Sequence, residues 1–200
     1  MGRTSDARER LISNANHLFR DRGFESVSVA QLCEAAAVNK GSFYYFFRSK
    51  TELLLEVIDG AWDETGMLTS WENELPPHPI AQLRKYFQEL FACHYADRES
   101  AGHVRGSLFG NLALELSGRD SLIAGKLNTL LRREVDIFTK LLAKAINEGE
   151  TRLDSPSETA QTMVACLHGL LILAKARDDL NILPNSEAEL LRLAGVVNLH

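Results

Sequence analysis

The chain of 200 residues predicts an all-α fold of about nine helices. Three observations carry that prediction. Apolar residues recur at helical spacing in one segment after another. No stretch alternates with a strand period over a useful length. Three helix starts crowd into residues 28–52, the outline of a helix-turn-helix near the N-terminus. The chain is thereby divided into a three-helix domain over 1–49 and a larger helical domain over 50–200.

Residues 1–5 read as a flexible arm from which Arg3 can reach a phosphate or a minor groove. The first helix is expected from about Asp6 to Arg22, with Ala7, Leu11, Ala15, Leu18 and Phe19 on one stripe. Gly23 closes it as a C-cap glycine, and Phe24 and Val27 belong beneath the next two helices. Ser28 with Gln31 forms a capping box, Asn39 is an N-cap, and Ser49 with Glu52 is a second box. Two short helices are thus separated by a tight turn near Ala37–Val38, and a third follows at once.

The second of these, about Lys40–Phe47, has two faces. Phe43, Phe46 and Phe47 hold it to a small core. Lys40, Gly41, Ser42, Tyr44 and Tyr45 face the other way. Lysine neutralises a phosphate or reaches a guanine edge, hydroxyls bond phosphates or bases, and glycine lets a phosphate backbone approach. Lys50 opens the next helix, where free N–H groups already suit an anion. Ser28, Asn39, Lys40, Gly41, Ser42, Tyr44, Tyr45 and Lys50 are therefore the candidate DNA-binding residues, with the second short helix in the major groove.

Leu53, Leu54, Val57, Ile58 and Ala61 continue a helix from about residue 50. The prolines of 73–79 must break it. A helix from about Ile80 to Tyr95 carries Leu83, Phe87, Leu90, Phe91 and His94, and Ala96–Gly106 reads as a polar turn. Residues 107–116 form a short buried helix. A long amphipathic helix spans about Ser121–Asn147 and is closed by Gly149. Ser155, Pro156 and Glu158 start the next helix with a cap, a first-turn proline and an N3 acid. Residues 159–176 are apolar nearly all round, so burial on more than one face is expected. Pro184 punctuates, and Ser186 with Glu189 caps a Leu-rich last helix.

The charge is uneven. Residues 1–50 carry eight Lys/Arg against five Asp/Glu, a net +3; residues 51–200 carry fourteen against twenty-two, a net −8. An acidic whole does not exclude DNA binding when the positive potential sits on the helix-turn-helix. No run approaches 18 apolar residues and the N-terminus has no apolar signal core, so a cytoplasmic protein away from membranes is expected. Cys33, Cys93 and Cys166 form no C-x-x-C pair, and neither a disulfide framework nor a metal site is expected. No H-E-x-x-H, G-x-S-x-G or phosphate-binding glycine loop is present. The chain therefore offers no catalytic site and no cofactor motif, and is not expected to be an enzyme.

Ser28, Leu32, Cys33, Ala36, Ala37, Val38, Asn39, Gly41, Phe43, Tyr44, Phe46, Phe47, Ser49, Lys50 and Leu53 together resemble the signature of the TetR family of one-component bacterial transcriptional repressors. The match spreads over about 26 positions. Ala37 stands where the family has a turn glycine, and a positive φ there would cost about 1 kcal/mol. Cys33 stands where the family has a small buried alanine. The resemblance implies a homodimer on a near-palindromic double-stranded operator, released by a small-molecule effector. Dimerisation through 159–176 and the last helix fits the surplus apolar surface and the small Ala165, Gly169 and Ala174. Activation instead of repression and a thiol-based redox or electrophile sensor are the open alternatives, with an all-α enzyme carrying a vestigial helix-turn-helix as the remote one.

An effector pocket is expected in the larger domain, for a small and largely apolar molecule held by a few hydrogen bonds. Trp62, Met67, Trp71, Phe91, His94, Ser107, Asn111 and Cys166 are the candidate ligand-binding residues. Gly106-Ser107-Leu108-Phe109-Gly110-Asn111-Leu112 is similar to a G-C-L-x-G-N-L segment of an electrophile-responsive TetR subgroup. Ser107 replaces that subgroup's sensor cysteine, and a hydroxyl has no thiolate chemistry at neutral pH. Cys93 or Cys166 could serve as a thiol sensor; burial as inert thiols is the expectation for both.

Overall fold

A computed structural model describes residues 2–64 and 78–196. Among them are nine helices: α1 Gly2–Arg22, α2 Val29–Ala35, α3 Lys40–Phe46, α4 Lys50–Glu64, α5 Pro79–Ala101, α6 Leu108–Leu116, α7 Ser121–Asn147, α8 Pro156–Arg177 and α9 Ile182–Leu193. No strand occurs among the described residues. Met67, Trp71, Pro76, Pro77 and Val197, and the Arg3 side chain, lie outside what is described.

The chain packs as two compact units. One comprises Met1–Thr65 with Leu108–Leu127, the other Gly66–Ser107 with Asn128–His200. The boundary at 49/50 drawn from the sequence is therefore not the packing boundary. α4 and α6 pack with each other, and both pack on α1. The first unit's core is built from Leu11, Ala15, Phe19, Leu32, Phe43, Phe47, Leu53, Leu54 and Ile58, all at most 1 % exposed.

Local chemistry explains the helix ends. The Ser28 box is complete: its hydroxyl accepts from the Gln31 N–H, and Gln31 Oε1 accepts from the Ser28 N–H. Asn39 Oδ1 accepts from the Ser42 N–H at 2.8 Å. Ser49 accepts from the Glu52 N–H, while Glu52 reaches one residue further back, to the Arg48 N–H. The turn between α2 and α3 closes by two bonds, Val38 N–H to Cys33 carbonyl and Ala37 N–H to Glu34 carbonyl. That is a Schellman closure, which needs a left-handed residue. Ala37 supplies it at φ +52°.

Replacing Ala37 by Gly should therefore raise stability by about 0.5–1 kcal/mol. The left-handed cost of a Cβ outweighs the extra freedom of glycine in the unfolded chain. A denaturation midpoint that stays put or falls would contradict this account.

Three boundaries differ from expectation. α1 begins at Gly2, since nothing in residues 2–5 breaks a helix. α5 runs on to Ala101, because 96–101 contains no breaker and ends only at Gly102 with φ +79°. Its last turns are anchored: Tyr95 donates to the Leu180 carbonyl and Arg105 pairs with Asp97 at 2.9 Å. α9 begins at Ile182, not after Ser186. Pro184 sits in its first turn, where no intrahelical N–H is required. Ser186 is inside the helix and donates to the Ile182 carbonyl.

The second unit is built on an aromatic core in which Tyr86, Phe87, Phe91 and Phe138 meet at 5.0–6.4 Å between centroids. α8 packs against α9, and α9 against α5. Only one face of α8 is covered, through Met163, Val164, Leu167, Leu171 and Ala174. Ile172 and Leu173 are 40 % and 44 % exposed in the single chain, so the second apolar face is not covered within the subunit. α8 is also long and apolar enough to cross a membrane by composition, although Gln161, Thr162 and His168 interrupt any unbroken apolar run.

Candidate nucleic-acid interface

α3 is pinned by its aromatic side. Phe43 and Phe47 are fully buried and 5.9 Å apart between centroids; Phe46 is half-buried. The opposite side is open. Lys40 and Gly41 are exposed, Ser42 is partly so, and Tyr44 and Tyr45 are 57 % and 76 % exposed. Two tyrosines this exposed on a seven-residue helix have no packing role that accounts for both. A Cβ at Gly41 would stand 3.2 Å from Asn39 Oδ1, so glycine also protects the cap.

The other candidates divide by what their polar atoms already do. Ser28 and Asn39 are exposed, but their side chains cap α2 and α3 and act through helix placement. Lys50 departs from the expectation. Its Nζ donates to the carbonyls of Phe24 at 2.7 Å and Val27 at 2.9 Å, and lies 4.1 Å from the Phe24 ring centroid. The ammonium is held by the turn before α2, where two carbonyl dipoles and a ring face compensate its partial burial. It is not presented as a free cation.

The candidate pocket residues are distributed over both units. Trp62 and Asn111 belong to the first unit. Trp62 packs on Phe109 at 5.9 Å, and the Asn111 amide donates to the Arg20 carbonyl at 3.4 Å. Phe91 and His94 are buried in the second unit and Ser107 lies at its edge in sequence. Cys93 and Cys166 are both exposed, which corrects the expectation of burial; Cys166 borders a shallow depression on α8 with Glu158, Gln161, Thr162 and Ala165.

A buried polar cluster lies outside the sequence expectations. Tyr86 donates to Glu134 Oε1 at 2.5 Å, and His168 Nε2 lies 2.9 Å from Glu134 Oε2. Glu134 is 6 % exposed, and His168 Nδ1 is buried without a hydrogen-bond partner. Burial, then the Glu134 charge and hydrogen bond, push the Tyr86 phenol well above its ordinary range, so it stays a neutral donor. The signal was available: Glu134 occupies the apolar stripe Leu127, Leu130, Phe138, Leu142 of α7, where a carboxylate has no solvent. His78, Glu148 and Glu150 also converge, but the Glu150 oxygens are taken by His78 at 2.8 Å and the Ile80 N–H at 3.0 Å, capping α5.

Burial pushes the Cys33 thiol up, and nearby Lys40 only partly offsets this. Cys93, exposed on α5, should therefore react with a maleimide at neutral pH in the folded protein, and Cys33 only on unfolding. Peptide mapping of the labelled protein reads this directly; equal labelling at Cys33 would refute it.

Residues 11–57 match the model of bacterial regulatory proteins, tetR family. The chain is 31 % identical over 179 residues to the transcriptional regulator AcuR of Cereibacter sphaeroides, covering 84 % of this chain and 76 % of AcuR. It is 26 % identical to the HTH-type transcriptional repressor DhaR of Mycobacterium sp. strain GP1, over 88 % of this chain and 85 % of DhaR. Among solved structures, a cysteine mutant of the TetR family regulator CifR bound to 26-base-pair operator DNA superposes with a TM-score of 0.77. It is 25 % identical, with 92 % of this chain and 94 % of that one covered.

Proposed function

The chain belongs to the TetR family of bacterial regulatory proteins, not to an enzyme family, and from that premise we propose that it is a ligand-responsive repressor acting as a homodimer. The open face of α3 carries this reading: Lys40, Gly41, Ser42, Tyr44 and Tyr45 together offer a charge, a close-approach glycine and three hydroxyls on one short helix. Residues 1–49 read DNA, with Ser28 and Asn39 setting helix positions and Lys50 bracing the turn. Residues 50–200 bind the effector and dimerise. α8 supports the dimer, since its uncovered face carries Ala165, Gly169, Ile172, Leu173 and Ala176. Two-fold symmetry then places two α3 helices about one DNA turn apart on a near-palindrome.

The effector is small and largely apolar. Of the candidate residues, Phe91 and His94 are buried in the second unit, which also holds the polar Tyr86–Glu134–His168 cluster, and an apolar ligand oriented by a few hydrogen bonds suits that combination. Release requires the effector to favour the state in which the readers do not fit successive grooves. A footprint on the DNA flanking the protein's own gene, at physiological salt, tests the reading. Protection of a near-palindrome is expected; genome-wide binding without any enriched site would sink it.

A further inference from the structure

The turn joining α1 to α2 is held by opposite charges from two other helices of its own unit. After α1, Gly23 turns into the left-handed region at φ +81°. The next two amides, Phe24 and Glu25, both donate to the carboxylate of Glu115 on α6, at 2.9 and 2.8 Å. Successive N–H groups after a left-handed residue form an anion-binding nest, here filled by a side chain about 90 residues away. A Cβ at Gly23 would lie 3.0 Å from both Glu115 oxygens, so glycine serves the approach as well as the turn. On the carbonyl side of the same turn sits Lys50 of α4. Ser28, the N-cap of α2, follows Val27 directly, so whatever moves this turn moves the start of the helix-turn-helix.

We infer that Glu115 is a positioning residue for DNA reading. Its two-pronged bond fixes orientation as well as distance, since both carboxylate oxygens are used on adjacent amides. α6 therefore sets the pitch at which α2 and α3 leave α1. Asn111, one helical turn earlier on α6, reaches the Arg20 carbonyl and lies on the same side. In a dimer, pitch decides which separation of half-sites both α3 helices can meet. The inference rests on the assignment of α3 as the DNA-facing helix.

The test begins by selecting an operator from random DNA with the wild-type protein. Wild type, Glu115→Ala, Glu115→Gln and Glu115→Asp are then titrated on that operator, on versions with half-site spacing changed by one or two base pairs, and on unrelated DNA. Glu115→Ala and Glu115→Gln should lose roughly tenfold on the preferred spacing and little on unrelated DNA, with the spacing preference flattened. Glu115→Asp, which keeps the charge with a shorter reach, should fall between them and wild type, and serves where Glu115→Ala fails to fold. Hydrogen exchange at the Phe24 and Glu25 amides should quicken in step. Faster exchange with spacing preference and affinity intact would overturn the inference, leaving Glu115 a staple. So would a uniform loss on every spacing. If wild type enriches no sequence, the DNA-reading assignment falls first and this inference with it.

Discussion

Replacing Lys40 by Ala should weaken operator binding by about 2 kcal/mol per dimer, roughly thirtyfold, with the fold intact. Lys40 is the exposed first residue of α3, and among the described residues no side-chain hydrogen bond or ion pair ties it to the protein. Its removal costs no packing. A charge-assisted contact contributes about 1 kcal/mol or more, and the dimer loses two. If the contact is to a phosphate, the loss is uniform across sequences and the salt slope falls by about one per contact; if it is to a guanine, discrimination at that position relaxes. Tyr44→Ala should also weaken binding, because the ring is 57 % exposed and meets Phe43 in a T-shaped contact. Lys50→Ala should behave differently, lowering stability, since its ammonium bonds two carbonyls of the turn before α2. Unchanged operator affinity for both Lys40→Ala and Tyr44→Ala at matched salt would remove α3 as the reading helix.

The contrast between Lys40 and Lys50 marks where the sequence stops being informative. Caps, turns and stripes are local, and a local pattern names them: Ser28 with Gln31, Asn39, and the buried α7 stripe all behave as their spacing demands. The direction of a long side chain is not local. Lys50 lies at a helix N-terminus, where an anion is favoured, yet the Phe24 and Val27 carbonyls claim it from 26 and 23 residues away. Glu115 is similar, since nothing in its helix predicts two amides about 90 residues distant as its partners. The pocket candidates were least legible. Aromatic and amphipathic residues look alike whether they line a cavity or fill a core, and Trp62 and Asn111 are engaged by Phe109 and Arg20. Glu134 was the exception: a carboxylate in an apolar register is a contradiction visible in one dimension, resolved by Tyr86 and His168.

Placing a carboxylate on the open face of α8 should do the most damage to function without touching the reader. Leu173→Glu changes a side chain that is 44 % exposed in the single chain, so the subunit itself should keep its fold. In the proposed dimer the same face meets its own copy, and symmetry buries two uncompensated carboxylates together. Breaking an interface this way costs several kcal/mol, enough to raise the dimer dissociation constant by a thousandfold or more. The polar end of the face, Glu158, Gln161 and Thr162, is where water can stay, so the apolar end at Ile172 and Leu173 is the place to strike. Sedimentation should find wild type dimeric and Leu173→Glu monomeric at micromolar concentration, with helix content unchanged. Operator affinity should collapse, since one α3 reads only a half-site. A Leu173→Glu protein that remains dimeric and binds as before would show that α8 faces solvent, and the dimer would have to be sought on another surface.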